Sequence, residues 1–103
     1  MNLREWQLMN TELIKYSQKY RGLLEKALKT IKRNIKNESF LKEIEADYLS
    51  MAKNYLHDGI VFQEKGDHIR ALACFSYAYA WIDAGVRIGV FYGIDRNLFT
   101  LYK

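Results

Sequence analysis

Apolar residues recur every three or four positions over the first third of the chain, which is the spacing of one face of an α-helix. The pattern predicts a first helix of about 24 residues that begins at Asn10 or Thr11, either of which can cap the free N–H groups. It ends within a polar break at residues 34–39. Residues 1–10 form either a lead-in turn or an extension of this helix. The apolar positions are Leu13, Tyr16, Tyr20, Leu23, Leu24, Ala27, Leu28, Ile31 and Ile35.

A sharp turn separates the second and third predicted helices. The second covers about residues 39–65, where apolar side chains again recur at helical spacing. Gly66 can adopt the left-handed conformation that ends a helix, and Asp67 can cap the next one. The third helix, residues 68–91, is apolar on nearly all sides, so we expect it to be central in a bundle or packed against a second copy.

The composition favours one small helical domain. The chain has 103 residues, half of them hydrophobic, and no proline to interrupt a helix. Its one cysteine, Cys74, excludes an internal disulfide and fits no zinc pattern, so we expect neither a metal nor a cofactor. We predict an all-α domain over residues 1–103, a left-handed up-and-down three-helix bundle over about 11–91. The segment 92–103 would pack on the bundle or on a partner chain.

The chain carries neither a secretory signal nor a convincing membrane span. Residues 1–10 lack the apolar run of a signal peptide. Residues 71–91 are long enough to cross a bilayer, but they contain Asp83 and Arg87, which are costly near its centre. We therefore expect a cytoplasmic protein that does not contact membranes.

The second half of the chain resembles a known family. The residues that carry the likeness are Phe-Gln-Glu-Lys-Gly-Asp at 62–67, Arg70-Ala71, and the run Tyr-Ala-Tyr-Ala-Trp-Ile-Asp-Ala-Gly-Val-Arg-Ile-Gly-Val-Phe at 77–91. They are similar to an archaeal family known as domain of unknown function 357, and the likeness extends over about residues 12–91. The resemblance implies a small three-helix bundle in an archaeal cytoplasm, with no established activity to transfer.

A weaker likeness connects residues 52–85 with a single tetratricopeptide hairpin. Aromatic, small and alanine residues fall at that repeat's spacings. The expected closing proline is Asp83 here, and the chain has no second copy of the repeat, so we interpret the likeness as convergent packing of a helical hairpin. The positions concerned are Tyr55, Gly59, Phe62, Ala71, Phe75 and Ala78.

Two features of the third helix are candidates for contact with a ligand or partner. Asp83 and Arg87 lie four residues apart and can form an ion pair, which is more often structural than functional. Gly85, Gly89 and Gly93 recur every fourth residue, which suggests that something approaches the backbone closely. We favour tight packing of a neighbouring helix, with a helix end at Gly89 or Gly93.

Catalytic motifs are not evident. His57 and His68 do not have the spacing of a metal-binding pair, and Cys74 lies among apolar residues without a neighbouring base. Glu43 and Asp47 share a helix face, but the second helix is acidic and they are expected to face solvent. We do not expect an enzyme.

The first helix is strongly basic. Residues 12–37 contain eight basic and two acidic side chains, whereas residues 38–67 contain three basic and seven acidic ones. Lys26, Lys29 and Arg33 form a candidate patch for nucleic-acid phosphates. We favour the alternative that these charges form a solvated face that balances the acidic second helix.

The aromatic content points to an interface. Eight Tyr, two Trp and five Phe exceed what one small core hides, and surplus aromatic residues concentrate at interfaces. Candidate contact residues are Trp81, Phe99 and Tyr102. We expect a non-catalytic scaffold or protein-interaction module that forms a homodimer or a higher oligomer. The alternatives are a nucleic-acid-binding accessory protein that uses the basic helix, and a small-molecule-binding bundle.

Overall fold

Three helices and a short antiparallel ribbon make up residues 2–93, the part of the chain that the computed structural model describes. The helices confirm the predicted all-α bundle, whereas the ribbon was not predicted. The elements in chain order are α1 (Leu3–Thr30), β1 (Lys32–Arg33), α2 (Phe40–Glu64), α3 (His68–Arg87) and β2 (Phe91–Tyr92).

Helix α1 begins about two turns earlier than predicted. The Asn2 side chain accepts a hydrogen bond from the Glu5 N–H at 2.8 Å, and the Glu5 carboxylate accepts one from the Asn2 N–H at 3.3 Å. This capping box satisfies the N–H groups of Asn2 and Glu5 at the start of the helix. The helix therefore begins at Leu3, and the prediction of a start at Asn10 or Thr11 is wrong. Residues 3–10 extend the helix and form no lead-in turn.

Helix α1 also ends earlier than predicted. Ile31 adopts an extended conformation with φ −64° and ψ 139°, which directs the chain out of the helix. Lys32 then pairs with Tyr92, and Arg33 pairs with Phe91, in the antiparallel ribbon. The prediction that the helix continues through Ile35 is therefore wrong, because residues 32–33 pair with a distant strand.

Both glycine-terminated helix ends have the same hydrogen-bond pattern. Gly66 has φ +79° and Gly89 has φ +85°. At the first end the Asp67 N–H donates to the Phe62 carbonyl at 2.9 Å, and at the second the Val90 N–H donates to the Gly85 carbonyl at 3.0 Å. The predicted turn at residues 66–67 is confirmed, whereas α3 ends at Arg87, four residues before its predicted end at Phe91.

Helix α3 supplies half of the buried apolar residues and packs against both other helices. One of its faces nevertheless remains exposed, since Ile69 and Tyr77 are 68% and 58% accessible. On this face α3 is therefore not enclosed by its own bundle, and the alternative that it packs against a second copy stays a prediction. The buried apolar residues are Leu24, Ala27, Ala52, Ala71, Phe75, Ala78, Ile82, Val86, Val90 and Phe91.

Candidate functional site

The N-terminal part of α1 projects beyond the α2–α3 turn. Ser17 of α1 contacts His68, the first residue of α3, so the α1 residues before Ser17 continue past the start of α3. Of residues 3–12, all but Asn10 are exposed. At 1.5 Å per residue, these ten residues span about 15 Å. We call residues 3–12 the projecting segment.

A polar cluster at the base of the projecting segment joins all three helices. The Gln63 side-chain amide donates to the Ser17 hydroxyl at 2.7 Å, and that hydroxyl lies 2.9 Å from His68 Nδ1. Arg21 donates to the Gln63 side-chain oxygen at 2.8 Å. This cluster is not evident from the sequence, because its members come from separate helices and form no local motif.

The Ser17–His68 contact resembles the pairing of a nucleophile with its base, but burial argues against that chemistry. Ser17 is fully buried, and its hydroxyl already accepts a hydrogen bond from Gln63. A substrate could not reach the oxygen without displacing α1. The cluster therefore serves to fix α1 against the α2–α3 turn, and so determines which residues of α1 project.

A continuous apolar line follows the projecting segment and continues onto the bundle. It consists of Trp6, Met9, Leu13, Tyr16 and Tyr20, which we call the α1 stripe. Its members are separated by alternating steps of three and four residues. The side chains of Trp6, Met9, Tyr16 and Tyr20 are 52%, 43%, 49% and 40% exposed, and Leu13 is half-buried.

The C-terminal end of the α1 stripe, at Tyr16 and Tyr20, lies next to α3. The rings of Tyr16 and Tyr20 stack with centroids 6.4 Å apart. Burial, together with the nearby Tyr20 hydroxyl, raises the pKa of Tyr79 on α3 to about 12. Tyr79 therefore stays a neutral hydroxyl at physiological pH.

A buried carboxylate connects α2 to the segment after α1. Glu45 is fully buried and accepts hydrogen bonds from Arg33, from Lys42 at 3.2 Å and from the Ile35 N–H at 3.0 Å. Burial alone would raise the pKa of Glu45, but these three donors hold that pKa below its ordinary value. The role of Glu45 is not evident from the sequence, where it is one of several acidic residues of the second helix.

The candidate basic patch is divided by this contact. Lys26 and Lys29 are exposed on α1. Arg33 lies on β1, where it forms an ion pair with Glu45. Arg33 therefore differs from the two lysines, because its guanidinium is held by an acidic partner within the fold. That the three residues act together on nucleic-acid phosphates stays a prediction.

The candidate contact residues near the end of α3 interact with other residues of the same chain. Asp83 and Arg87 form an ion pair at 3.3 Å, while the second oxygen of Asp83 is buried and has no hydrogen-bond partner within residues 2–93. Trp81 packs edge-on against Tyr48 of α2, with centroids 4.9 Å apart. Asp83 and Trp81 are therefore half-buried and take part in contacts within the bundle. Phe99 and Tyr102 lie outside the described residues.

The glycines of α3 do not form a ridge for a neighbouring helix. Gly85 is buried, and the space that a Cβ would take there is filled by the Phe91 ring. Gly89 faces open space and provides the positive φ of the helix end. Gly93 follows β2 outside the helix. The expectation of close helix packing at Gly85 and Gly89 is therefore wrong, whereas the helix end at Gly89 is confirmed.

Within residues 2–93 the structure offers neither a cluster of metal ligands nor a helix that could span a membrane. Within this range no group of three or more His, Cys, Asp and Glu could hold a metal ion. None of α1, α2 and α3 is long and apolar enough to span a membrane.

Burial, with a contribution from Asp58, raises the pKa of the Cys74 thiol, which lowers its thiolate fraction and therefore its reactivity.

A shallow cavity of about 320 Å³ lies between β1 and one side of α2. Arg33 and Lys53 are the two cationic residues at its edge, but Arg33 is already paired with Glu45. The remaining lining residues are Ala46, Leu49, Ser50 and Asn54. The cavity provides no cluster of buried polar groups that would orient a small molecule.

These observations define a small three-helix bundle with a projecting first helix. The model of the family described as "Protein of unknown function (DUF357)" matches residues 19–91, and the chain belongs to that family. The match confirms the resemblance seen in the sequence. The projecting segment lies before the matched residues.

A solved structure has the same fold. The crystal structure of protein AF1782 from Archaeoglobus fulgidus, a member of the same family, matches with a TM-score of 0.67 and 24% sequence identity. The match covers 84% of this chain and 99% of that chain. A search of curated proteins found no match.

Proposed function

We propose that the protein is a non-catalytic protein-interaction module that self-associates through the α1 stripe. The observation that carries this proposal is the exposure of that stripe on a helix that projects from the bundle. Single exposed apolar residues are ordinary on protein surfaces, whereas a contiguous apolar line marks an interaction site. Trp, Tyr and Met are also residue types that interfaces favour.

The energetics of the projecting segment support the same function. In proteins, most helix stability comes from packing of an apolar face, and isolated helices shorter than about 12 residues are marginal in water. The segment has a capping box at its start, but its apolar side chains at Leu3, Trp6 and Met9 remain exposed. A partner that covers them would stabilise the helix and remove apolar area from water.

Charge does not favour the nucleic-acid alternative. Arg33 is paired with Glu45, and Arg21 is engaged by Glu25 and Gln63. Lys15, Lys19, Lys26 and Lys29 remain as exposed cations of α1, but solvated lysines alone support only weak, salt-sensitive binding to nucleic acid.

Sedimentation velocity over a concentration series tests the proposed function. We expect the wild-type chain to sediment as a species heavier than the 12.2 kDa monomer at micromolar concentration. The double variant Trp6→Gln/Met9→Gln should shift towards the monomer, since it removes apolar area from the stripe but keeps good helix formers.

Leu8→Gln provides the matched control. Leu8 lies on the same projecting segment and is 61% exposed, but it is outside the α1 stripe. We expect this variant to associate like the wild type. A wild-type chain that stays at 12.2 kDa throughout the series, or equal loss of association in both variants, would contradict the proposed function. Tight binding of RNA or DNA that persists at high salt would favour the nucleic-acid alternative.

A further inference from the structure

We infer that two copies pair their α1 helices antiparallel, with Glu5 and Glu12 of one copy facing Lys26 and Lys19 of the other. This inference rests on the proposed function and specifies its partner, orientation and register. It is carried by the spacing of the α1 stripe and by the order of the charges beside that stripe.

The spacing of the α1 stripe is that of a coiled-coil seam. From Trp6 to Tyr20 its residues alternate steps of three and four, and Leu23 and Ala27 continue the same alternation. Apolar residues at an average interval of 3.5 form a line that a second helix can follow along its length. Ala27 is buried in the chain's own bundle, so the seam open to a second copy extends from Trp6 to the half-buried Leu23.

The charged residues beside the seam are ordered by sign. The residues immediately before Trp6 and Leu13 are Glu5 and Glu12, and those immediately before Tyr20 and Ala27 are Lys19 and Lys26. All four side chains belong to exposed residues. They occupy equivalent positions of successive heptads, so the flank of the seam is acidic towards its N-terminal end and basic towards its C-terminal end. The four flanking residues are Glu5, Glu12, Lys19 and Lys26.

This order of charges selects the antiparallel orientation. When two identical helices pair antiparallel, equivalent flanking positions meet each other in reverse order, so the acidic half of each helix faces the basic half of the other. Glu12 then meets Lys19 of the second copy, and symmetry repeats the contact. Glu5 and Lys26 meet in the same way one heptad further out.

Parallel pairing has no such complementarity. In a parallel pair, each of these flanking residues would face a residue that directly follows Met9, Tyr16 or Leu23 on the other helix. Those positions are occupied here by Asn10, Ser17 and Leu24. None of them carries a charge, so parallel pairing leaves the four flanking charges without partners of opposite sign.

The same register covers both projecting segments. With Glu12 opposite Lys19 of the second copy, Leu13 packs opposite Tyr16 and Met9 opposite Tyr20. Trp6 then reaches Leu23 of the second copy. Each projecting segment therefore lies along the bundled half of the other α1, so no apolar residue of the stripe is left without a neighbour.

Charge exchange at positions 12 and 19 tests this arrangement. Glu12→Lys places two lysines opposite each other at both symmetric contacts, and Lys19→Glu places two glutamates there. We expect each single variant to weaken the dimer about tenfold at low salt, because attractive pairs are replaced by repulsive ones at two sites. The double variant Glu12→Lys/Lys19→Glu should restore the wild-type dissociation constant. An equimolar mixture of the two single variants should form a heterodimer tighter than either homodimer.

Lys15→Glu is the matched control, because it makes the same change of charge on an exposed residue of α1 away from the flank of the seam. It should leave association unchanged. A double variant as weak as the single variants, or single variants that dimerise like the wild type, would overturn the antiparallel register while the proposed function stands. A wild-type chain that remains monomeric would overturn both.

Discussion

Two residues show how burial determines the role of a side chain in this fold. Glu45 is a buried carboxylate that is stabilised as an ion because Arg33, Lys42 and a backbone N–H surround it. Gly85 has the opposite role, since its missing side chain leaves room for the Phe91 ring. Neither role was evident from the sequence, because Glu45 lies among other acidic residues and the partner of Gly85 comes from a strand that was predicted as helix.

Glu45→Gln should destabilise the fold by about 1 to 3 kcal/mol at neutral pH, since the change leaves two cationic donors with a weaker acceptor. The folded-state pKa of Glu45 is lowered, so its contribution is fully present above the unfolded value of 4.5 and is lost as pH falls through the folded value. Urea unfolding from pH 7 to pH 3 checks this expectation.

Across that acid range, the difference between wild type and Glu45→Gln should shrink as pH falls. Glu43→Gln is the control, because Glu43 is an exposed residue of the same helix. A constant difference between wild type and Glu45→Gln down to pH 3 would contradict the assigned role of the carboxylate.

Gly85→Ala should destabilise the fold by about 1 to 3 kcal/mol, because the new methyl group competes with the Phe91 ring for the same space. Gly22→Ala is its counterpart, since Gly22 is an exposed glycine of α1 with open space around it. That change should stabilise the fold by about 0.5 to 1 kcal/mol. Thermal unfolding of the two variants measures both effects, and a stabilised Gly85→Ala variant would contradict the packing assigned to Phe91.

At the scale of elements, local signals were predictable and distant pairings were not. The turn at Gly66 and Asp67 depends on neighbouring residues, and it is observed at the predicted position. The end of α1 depends instead on a strand near residue 91, which periodicity cannot reveal. Its start was misplaced because Asn2 caps the helix as well as Asn10 or Thr11 could.

Ser17→Ala tests the polar cluster that fixes α1 against the α2–α3 turn. The change leaves Gln63 and His68 without their shared hydroxyl at a site where Ser17 is fully buried. We expect a loss of about 1 to 3 kcal/mol in the free energy of unfolding, measured by chemical denaturation. Gln18→Ala, at an exposed neighbouring position, should change that free energy by less than about 0.5 kcal/mol. Equal effects would contradict the role of the polar cluster.

At the scale of the whole molecule, the described chain is elongated, with extents of 57 × 26 × 19 Å. Family membership was predictable because residues 62–91 carry a specific pattern, and the family model matches them. The candidate site was only partly predictable. Periodicity places Leu13, Tyr16 and Tyr20 on the apolar face of a helix, but it does not show whether a neighbour covers that face. The polar cluster that sets the projection could be found only in three dimensions.

Hydrogen exchange measured by mass spectrometry over a dilution series tests the central claim most directly, because it reports which backbone amides association protects. We predict that peptides covering residues 3–12 exchange slowly at high protein concentration and quickly on dilution. Peptides from α2 and α3 should exchange at a rate independent of concentration. Exchange of residues 3–12 that is fast and identical at every concentration would contradict the account, since the α1 stripe would then not be a contact surface.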